Sequence, residues 1–413
     1  MNRRKFLKLA TTLSGLSALP YGMQGWAASN ADIGRDHHRL VVIFLRGAVD
    51  GLNIVVPYKE SAYYDNRPRI AIPHPRISNG ALDLDGEFGL HPALAVLMPL
   101  WQQKNLAFVH ACGSPDPTRS HFDAQDYMES GTPGVKSTAD GWMNRLLAVL
   151  GINHTAIQAL NMGPTLPRIL SGKMNVATLP LGGNPAKPMA LDRPLISSAF
   201  DRLYDGNDTL SAAYREGQAA RQQLLVDLQQ DMEAANNGAP SPRGFANDAN
   251  RLAQLLRQDP RVQLVFLALG GWDTHVNQGA AHGQLANHLQ PLGEGLAALT
   301  QGLGPVYQDT TILVISEFGR TMRENGNGGT DHGHGNVMWV LGGKVAGGKV
   351  YGEWPGLGDE NLYEGRDLAI TTDFRQVIGA ILERHLRLSD NHLHHVFPDM
   401  PQHGVDLHKL IRA

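Results

Sequence analysis

Five short apolar runs constrain this chain more than any other feature: Leu40 to Leu45, Leu106 to His110, Val262 to Leu269, Thr311 to Ile315 and Val337 to Leu341. They are rich in β-branched residues and show little polar alternation, so each reads as a strand buried on both faces. Such strands need helices above and below. Helical spacing does fall between them, in His91 to Gln103, between Trp142 and Leu160 (with a further strand), in Ala281 to Leu303 and in Asp373 to His385. The expected pattern is α/β, helices alternating with parallel strands whose ends feed Gly-rich turns into one crevice. Pro57 to Gly89, rich in Pro, Gly and Asn, is expected to form an irregular surface excursion. A helical insertion at about 200–258, a long polar helix over 200–235 and then a second one to Gln258, is expected to cover one side of the sheet.

The turns after these runs are chemically loaded. Gly271-Trp-Asp273-Thr-His275 and Ser316-Glu317-Phe-Gly-Arg320-Thr follow two of them, and Thr330-Asp331-His332-Gly-His334-Gly-Asn336 precedes another. Asp50 stands at the exit of the first strand. Carboxylates and imidazoles recurring at strand ends point to a divalent cation, against the plainer reading of hydrogen-bonded loop residues. Hard oxygens mixed with imidazoles suit zinc or manganese better than magnesium or an iron-sulfur cluster. Ser120, in Arg119-Ser120-His121-Phe-Asp123, falls near a helix start, where backbone N-H groups favour an activated hydroxyl; an N-cap is the alternative role. Arg119, Arg320 and Arg46 offer planar cations for a tetrahedral oxyanion, or else plain salt bridges.

Near its start the chain reads Asn2-Arg3-Arg4-Lys5-Phe6-Leu7-Lys8, followed by a mildly apolar stretch to Pro20, the pattern of a twin-arginine (Tat) signal peptide over residues 1–28. That stretch is shorter than the ~20 residues a membrane span requires, and cleavage fits after Gly25-Trp26-Ala27; an uncleaved anchor is the alternative. Tat carries folded proteins, so a metal would be loaded before export to the periplasm, and the Tat translocase is the one partner implied. No stable transmembrane segment is expected in the mature part. With one cysteine, Cys112, the exported protein has no internal disulfide and must hold together by its core. A net charge of -3 without a basic block disfavours nucleic acid, leaving a small ester or a surface-bound substrate.

From about Leu40 onward the chain resembles the bacterial exported family known as domain of unknown function 1501, placed in the alkaline phosphatase and sulfatase superfamily. The resemblance rests on Arg46-Gly-Ala-Val-Asp50-Gly-Leu-Asn53, Arg119-Ser120-His121-Phe-Asp-Ala-Gln125, Gly271-Trp-Asp273-Thr-His275, Ser316-Glu317-Phe-Gly-Arg320-Thr321 and Asp331-His332-Gly-His334-Gly. It implies an alkaline phosphatase-like, three-layer α/β/α domain over 40–413 with a mostly parallel central sheet, and a two-metal site for phosphate or sulfate esters. Asp50, Ser120, Asp273 with His275, Glu317 and His332 fall in the superfamily's motif order. Two departures stand out. Glu317-Phe318 replaces an expected Asp-His pair, and only Thr274 separates Asp273 from His275. His334 or Asp331 would have to compensate, or the site holds one ion, or none. The Cys/Ser-x-Pro-x-Arg sulfatase signature is absent around Cys112 and Ser120, which disfavours formylglycine chemistry.

The leading expectation is an exported metal-dependent hydrolase of phosphate or sulfate esters, with Ser120 as nucleophile. Its rivals are a catalytically degenerate hydrolase-fold protein acting as a binding or assembly partner, and a binding protein whose ion is structural.

Overall fold

The computed structural model describes residues 38–151, 158–179, 233–401 and 407–412. The expected signal peptide over 1–28 and the long polar helix over 200–235, up to its last residues, lie outside the described residues.

Among the described residues the apolar runs become strands of one nine-stranded sheet: β1 (Arg39–Leu45), β2 (Leu106–Gly113), β3 (Ala159–Met162), β4 (Ala177–Leu179), β5 (Leu264–Leu269), β6 (Thr310–Ile315), β7 (Asn336–Gly342), β8 (Val350–Tyr351) and β9 (Thr372–Asp373). Their spatial order is β8-β2-β7-β6-β1-β5-β3-β4, with β9 also paired to β2. β1 lies at the centre, parallel to β5 and β6, with Leu40 opposite both Leu264 and Thr311.

The principal helices are α1 (His121–Ser130), α2 (Trp142–Leu150), α3 (Phe245–Gln258), α4 (Gln284–Leu303), α5 (Phe374–Arg384) and α6 (Asp390–Val396). Successive side chains of β1 point to opposite faces, as the period of a strand requires. Val41, Ile43 and Leu45 share a core with Leu252 and Leu256 of α3 and Leu285 and Leu289 of α4. Leu40, Val42 and Phe44 share another with Trp142 of α2, Ile378 of α5 and Leu393 of α6. Burial on both faces explains the unalternating runs, and the expected three-layer, mostly parallel α/β/α architecture is what forms.

One strand departs from that expectation. β7 runs antiparallel to both β6 and β2. Parallel neighbours need a crossover, usually helical, and residues 316–335 between β6 and β7 contain no helix, so the chain simply turns back. The start of β7 therefore lies at the sheet edge where β1, β2, β5 and β6 end. A block that precedes its strand reaches the same crevice as blocks that follow theirs.

Two local expectations change as well. Residues 57–89 are more ordered than expected: they hold a helix, Ser61–Asn66, and contribute to a small sheet of Val55–Val56, Gly89–Leu90 and Leu82–Asp83. Tyr63, Ile72 and Val56 bury together there with Leu368, giving the excursion a core of its own. In His91 to Gln103, Pro92 and Pro99 each start a turn, and the segment divides into a 3₁₀ helix, Pro92–Leu97, and a short α-helix, Met98–Gln102. No helix among the described residues is long and apolar enough to cross a membrane.

Candidate metal centre

Asp273 sits in the turn after β5 and is almost fully buried. Three imidazoles surround it. His275 Nε2 lies 3.0 Å and His332 Nε2 3.4 Å from its Oδ1, while His121 Nε2 lies 3.5 Å from its Oδ2. The imidazoles also meet one another: His332 Nε2 is 2.9 Å from His121 Nε2 and 3.0 Å from His275 Nε2. His121, Asp273 and His332 each offer a ligand atom within 4.8 Å of the other two.

The far side of each ring decides what these nitrogens can be. His121 Nδ1 is 2.8 Å from Glu317 Oε1, His275 Nδ1 3.2 Å from Asp331 Oδ1, and His332 Nδ1 2.9 Å from the carbonyl of Arg119. Carboxylates and carbonyls only accept, so every Nδ1 donates and every neutral ring turns its Nε2 lone pair toward Asp273. Lone pairs facing one another around a carboxylate repel unless a proton or a metal ion lies among them. The same arrangement of an outer acceptor on each ring is how metal-bound histidines are oriented.

The ionisation of the group shows the demand for positive charge. Burial works against the charge on Asp273, yet the close His121, His275 and His332 imidazoles and the Arg320 charge hold its carboxyl far below the usual range. Burial likewise opposes a charge on His121, but Asp273 and Glu317 outweigh it and lift the imidazole to about 9. His275 is raised in the same way against its burial, by Asp273 and Asp331. His332 is lowered, by burial first and then by the charges of Arg320 and His121, with Asp273 pulling the other way.

Local backbone makes the convergence feasible. Gly47, with φ +114°, carries the β1 exit turn so close to the β5 exit turn that a Cβ there would stand 2.7 Å from the backbone nitrogen of Asp273. Its N-H donates to Glu317 Oε1 at 2.8 Å. Gly319 packs against the carbonyl of Gly335, so the two arms of the 316–335 loop lie back to back, with Gly319 N-H bonded to the His334 carbonyl at 2.9 Å. Any side chain at 319 would force the arms apart.

Of the residues expected from the sequence, Asp273, His275 and His332 come together. Glu317 and Asp331 stand behind them, each holding a ring. Asp50 is fully buried and pairs elsewhere: its Oδ2 accepts from Arg67 Nη1 at 2.7 Å and Gln278 Nε2 at 2.6 Å, and its Oδ1 has no hydrogen-bond partner. His334 stacks on Tyr363, ring centres 4.3 Å apart, and burial lowers its pKa to about 4. Arg320 is buried, with Nη1 2.5 Å from Asp273 Oδ1, Nε on Thr330 Oγ1 and Nη2 on the Thr330 carbonyl. Arg119 turns its guanidinium to Asp367 and Glu364, and Arg46 bonds Glu129 and the Asn237 carbonyl. All three arginines thus hold protein groups. Ser120 is the exposed N-cap of α1, its Oγ 3.5 Å from the Asp123 N-H.

Two residues of this region were not singled out from sequence. His121 stands beside Ser120 in the motif, and the hydroxyl drew the functional reading; its signal was the loop that follows a buried strand. Arg67 lay in the excursion expected to be irregular, where nothing local marks a buried cation. Beyond Gln125, which donates to Glu317 Oε1 at 3.0 Å, lies a cavity of about 150 Å³ lined by Arg46, Glu129, Asn161, Arg168 and Asn237, among others.

Residues 37–397 match the model of a family described as "Protein of unknown function (DUF1501)". The chain belongs to the DUF1501 family. No curated protein matches it. Among solved structures, this DUF1501 chain is similar to Ps i-CgsB in complex with k-i-k-neocarrahexaose, at 11% identity and TM-score 0.44, over 86% of this chain and 74% of that one. It is also similar to the C-terminal periplasmic domain of EcEptC from Escherichia coli, in complex with Zn, at 10% identity and TM-score 0.35, over 75% of this chain and 74% of that one. A protein in the alkaline phosphatase superfamily from Vibrio parahaemolyticus matches at 11% identity and TM-score 0.39, over 77% of this chain and 63% of that one.

Proposed function

We propose that this DUF1501 protein is an alkaline phosphatase-like hydrolase of phosphate or sulfate esters, exported through the Tat pathway and dependent on one divalent ion, zinc or manganese. The observation that carries this reading is the set of imidazoles locked at Nδ1 with their Nε2 atoms gathered on Asp273. His121, Asp273 and His332 would hold the ion, with His275 beside them against Asp273 and Asp331. Bound there, a divalent ion supplies Lewis acidity toward an ester oxygen. Three protein ligands and an approachable fourth position are the mark of a catalytic rather than a structural site, and His332 is the most exposed of the rings, at 24%.

Around that centre the protein's own groups have separate tasks. Arg320 fixes the carboxylate of Asp273, and Glu317 and Asp331 fix two of the rings. Ser120, exposed at the start of α1 and one residue from His121, is the proposed nucleophile, aided by the helix N-terminus. A single ion suits the fate of Asp50, whose negative charge is already met by the Arg67 guanidinium.

A specific observation favours the second reading, a degenerate hydrolase that binds without turnover: Arg46, Arg119 and Arg320 are all tied to carboxylates, leaving none of them to clamp a substrate oxyanion. Elemental analysis of the exported protein, followed by a panel of phosphate mono- and diesters and sulfate esters, separates the readings. One ion per chain with turnover that disappears in Ser120→Ala supports the hydrolase. One ion without turnover supports the binding protein, and no ion in the wild type overturns both as metal proteins.

A further inference from the structure

The rings of the cluster are not held alike. His121 and His275 each donate Nδ1-H to a carboxylate, whereas His332 donates to the main-chain carbonyl of Arg119. A main-chain carbonyl directs a ring only as firmly as its own segment is fixed. Residues 114–120 have neither helix nor strand; Pro115, Pro117 and the bonds from Asp116 N-H to Ser114 Oγ, Thr118 N-H to Asp116 Oδ1 and Ser120 N-H to Thr118 Oγ1 shape the segment, but none of these bonds reaches beyond it. The Arg119 side chain does. Its Nε and Nη2 donate to Asp367 Oδ2 at 3.2 and 2.7 Å, and Nη2 also reaches Glu364 Oε2 at 2.7 Å. Asp367 is fully buried, and bridges to Thr321 and Tyr363 hold its backbone. The same segment grips His332 from its other side, because Arg366 Nη2 donates to the His332 carbonyl at 2.7 Å. Next to it, Tyr363 stacks on His334.

We propose that residues 363–367 act as a clamp on His332: Asp367, working through Arg119, sets the tautomer and direction of that ring, and Arg366 holds its backbone. Arg119, Arg366 and Asp367 are then positioning residues, and the inference rests on the metal centre proposed above. The clamp explains why an arginine so close to the candidate nucleophile turns its guanidinium toward protein carboxylates.

The test uses the full mature chain with Arg119→Gln, Arg119→Lys and Asp367→Asn, and Arg323→Gln as a control on the neighbouring exposed loop. Zinc affinity is read by chelator competition, and the His332 tautomer by ¹⁵N NMR of the histidine-labelled, zinc-free protein. Arg119→Gln is expected to weaken zinc binding about 10- to 100-fold, the usual cost of losing an outer partner of a ligand. His332 in that variant should leave the pure Nδ1-H tautomer, Arg119→Lys should recover part of both effects, and Arg323→Gln should change neither. Wild-type affinity together with an unchanged tautomer in Arg119→Gln overturns the clamp. A wild type that binds no zinc overturns the metal centre instead, and the zinc-free tautomer measurement still decides the clamp. Circular dichroism and the thermal midpoint verify folding; if Arg119→Gln does not fold, Asp367→Asn is read by the same criteria, since it leaves Arg119 on Glu364.

Discussion

Asp50 and Asp273 follow adjacent parallel strands, β1 and β5, and both are buried almost completely, at 0% and 1% exposure. Their surroundings differ in kind. Asp50 meets a guanidinium, which carries its charge at every relevant pH and cannot be exchanged for an ion. Asp273 meets one guanidinium and three imidazoles, whose charge depends on protons that a metal can displace. The two centres are joined: Gln278 donates to Asp50 and accepts from Thr330, and Arg320 links Thr330 to Asp273. A buried carboxylate at a strand end must find a cation, and the permanence of that cation separates a structural centre from a candidate chemical one.

The comparison breaks most sharply on the metal. Asp273→Asn keeps the shape and removes the charge, so it is expected to abolish binding of the proposed ion, whereas Asp50→Asn should leave that binding unchanged. Elemental analysis of both variants checks this, and the opposite pattern would transfer the centre to Asp50. Arg67→Met comes next. It strands the Asp50 carboxylate in the interior, an effect of about 3–5 kcal/mol on unfolding in urea. Its metal content should stay at that of the wild type. A second ion appearing in Arg67→Met would show that Asp50 can also take a metal once its guanidinium is gone.

The smallest effect concerns pH on the Asp50 side. His91 Nε2 contacts the Ala280 carbonyl and its Nδ1 accepts from Ala93 N-H; burial, only partly offset by that carbonyl and by Asp50, lowers its pKa to about 4. A depressed folded-state value means that the unfolded chain takes up the proton first, so stability is full above the unfolded value near ~6.5 and falls as pH drops toward the folded one. Between pH 7 and pH 5 the loss is about 2 kcal/mol. His91→Asn, which preserves an N-cap acceptor, should flatten that part of the urea stability profile. An unchanged slope would remove His91 as its source.

Much of this was legible in the sequence because it depends on local pattern. Runs such as Leu40 to Leu45 show burial on both faces without any knowledge of neighbours, and a charged residue at their ends must lie at an edge of the sheet. Asp273, His275 and His332 were found that way. The direction of β7 was not, because it depends on what the 316–335 loop does not contain. His121 was overshadowed by the serine before it, and Arg67 sits in a segment whose order comes from Tyr63 and Ile72 packing against distant residues.

By itself, the sequence determined the layered α/β architecture and the crowding of acidic and imidazole groups at strand ends, since periodicity and turn chemistry act over a few residues. Only the tertiary structure decided which carboxylate received which cation. Arg67 reaches Asp50 across 17 positions, Arg320 reaches Asp273 across 47, and His332 reaches His121 across 211. Partners so distant along the chain are chosen by strand order, by the reversal of β7 and by a glycine small enough to let two turns touch, and none of these is written in any local window.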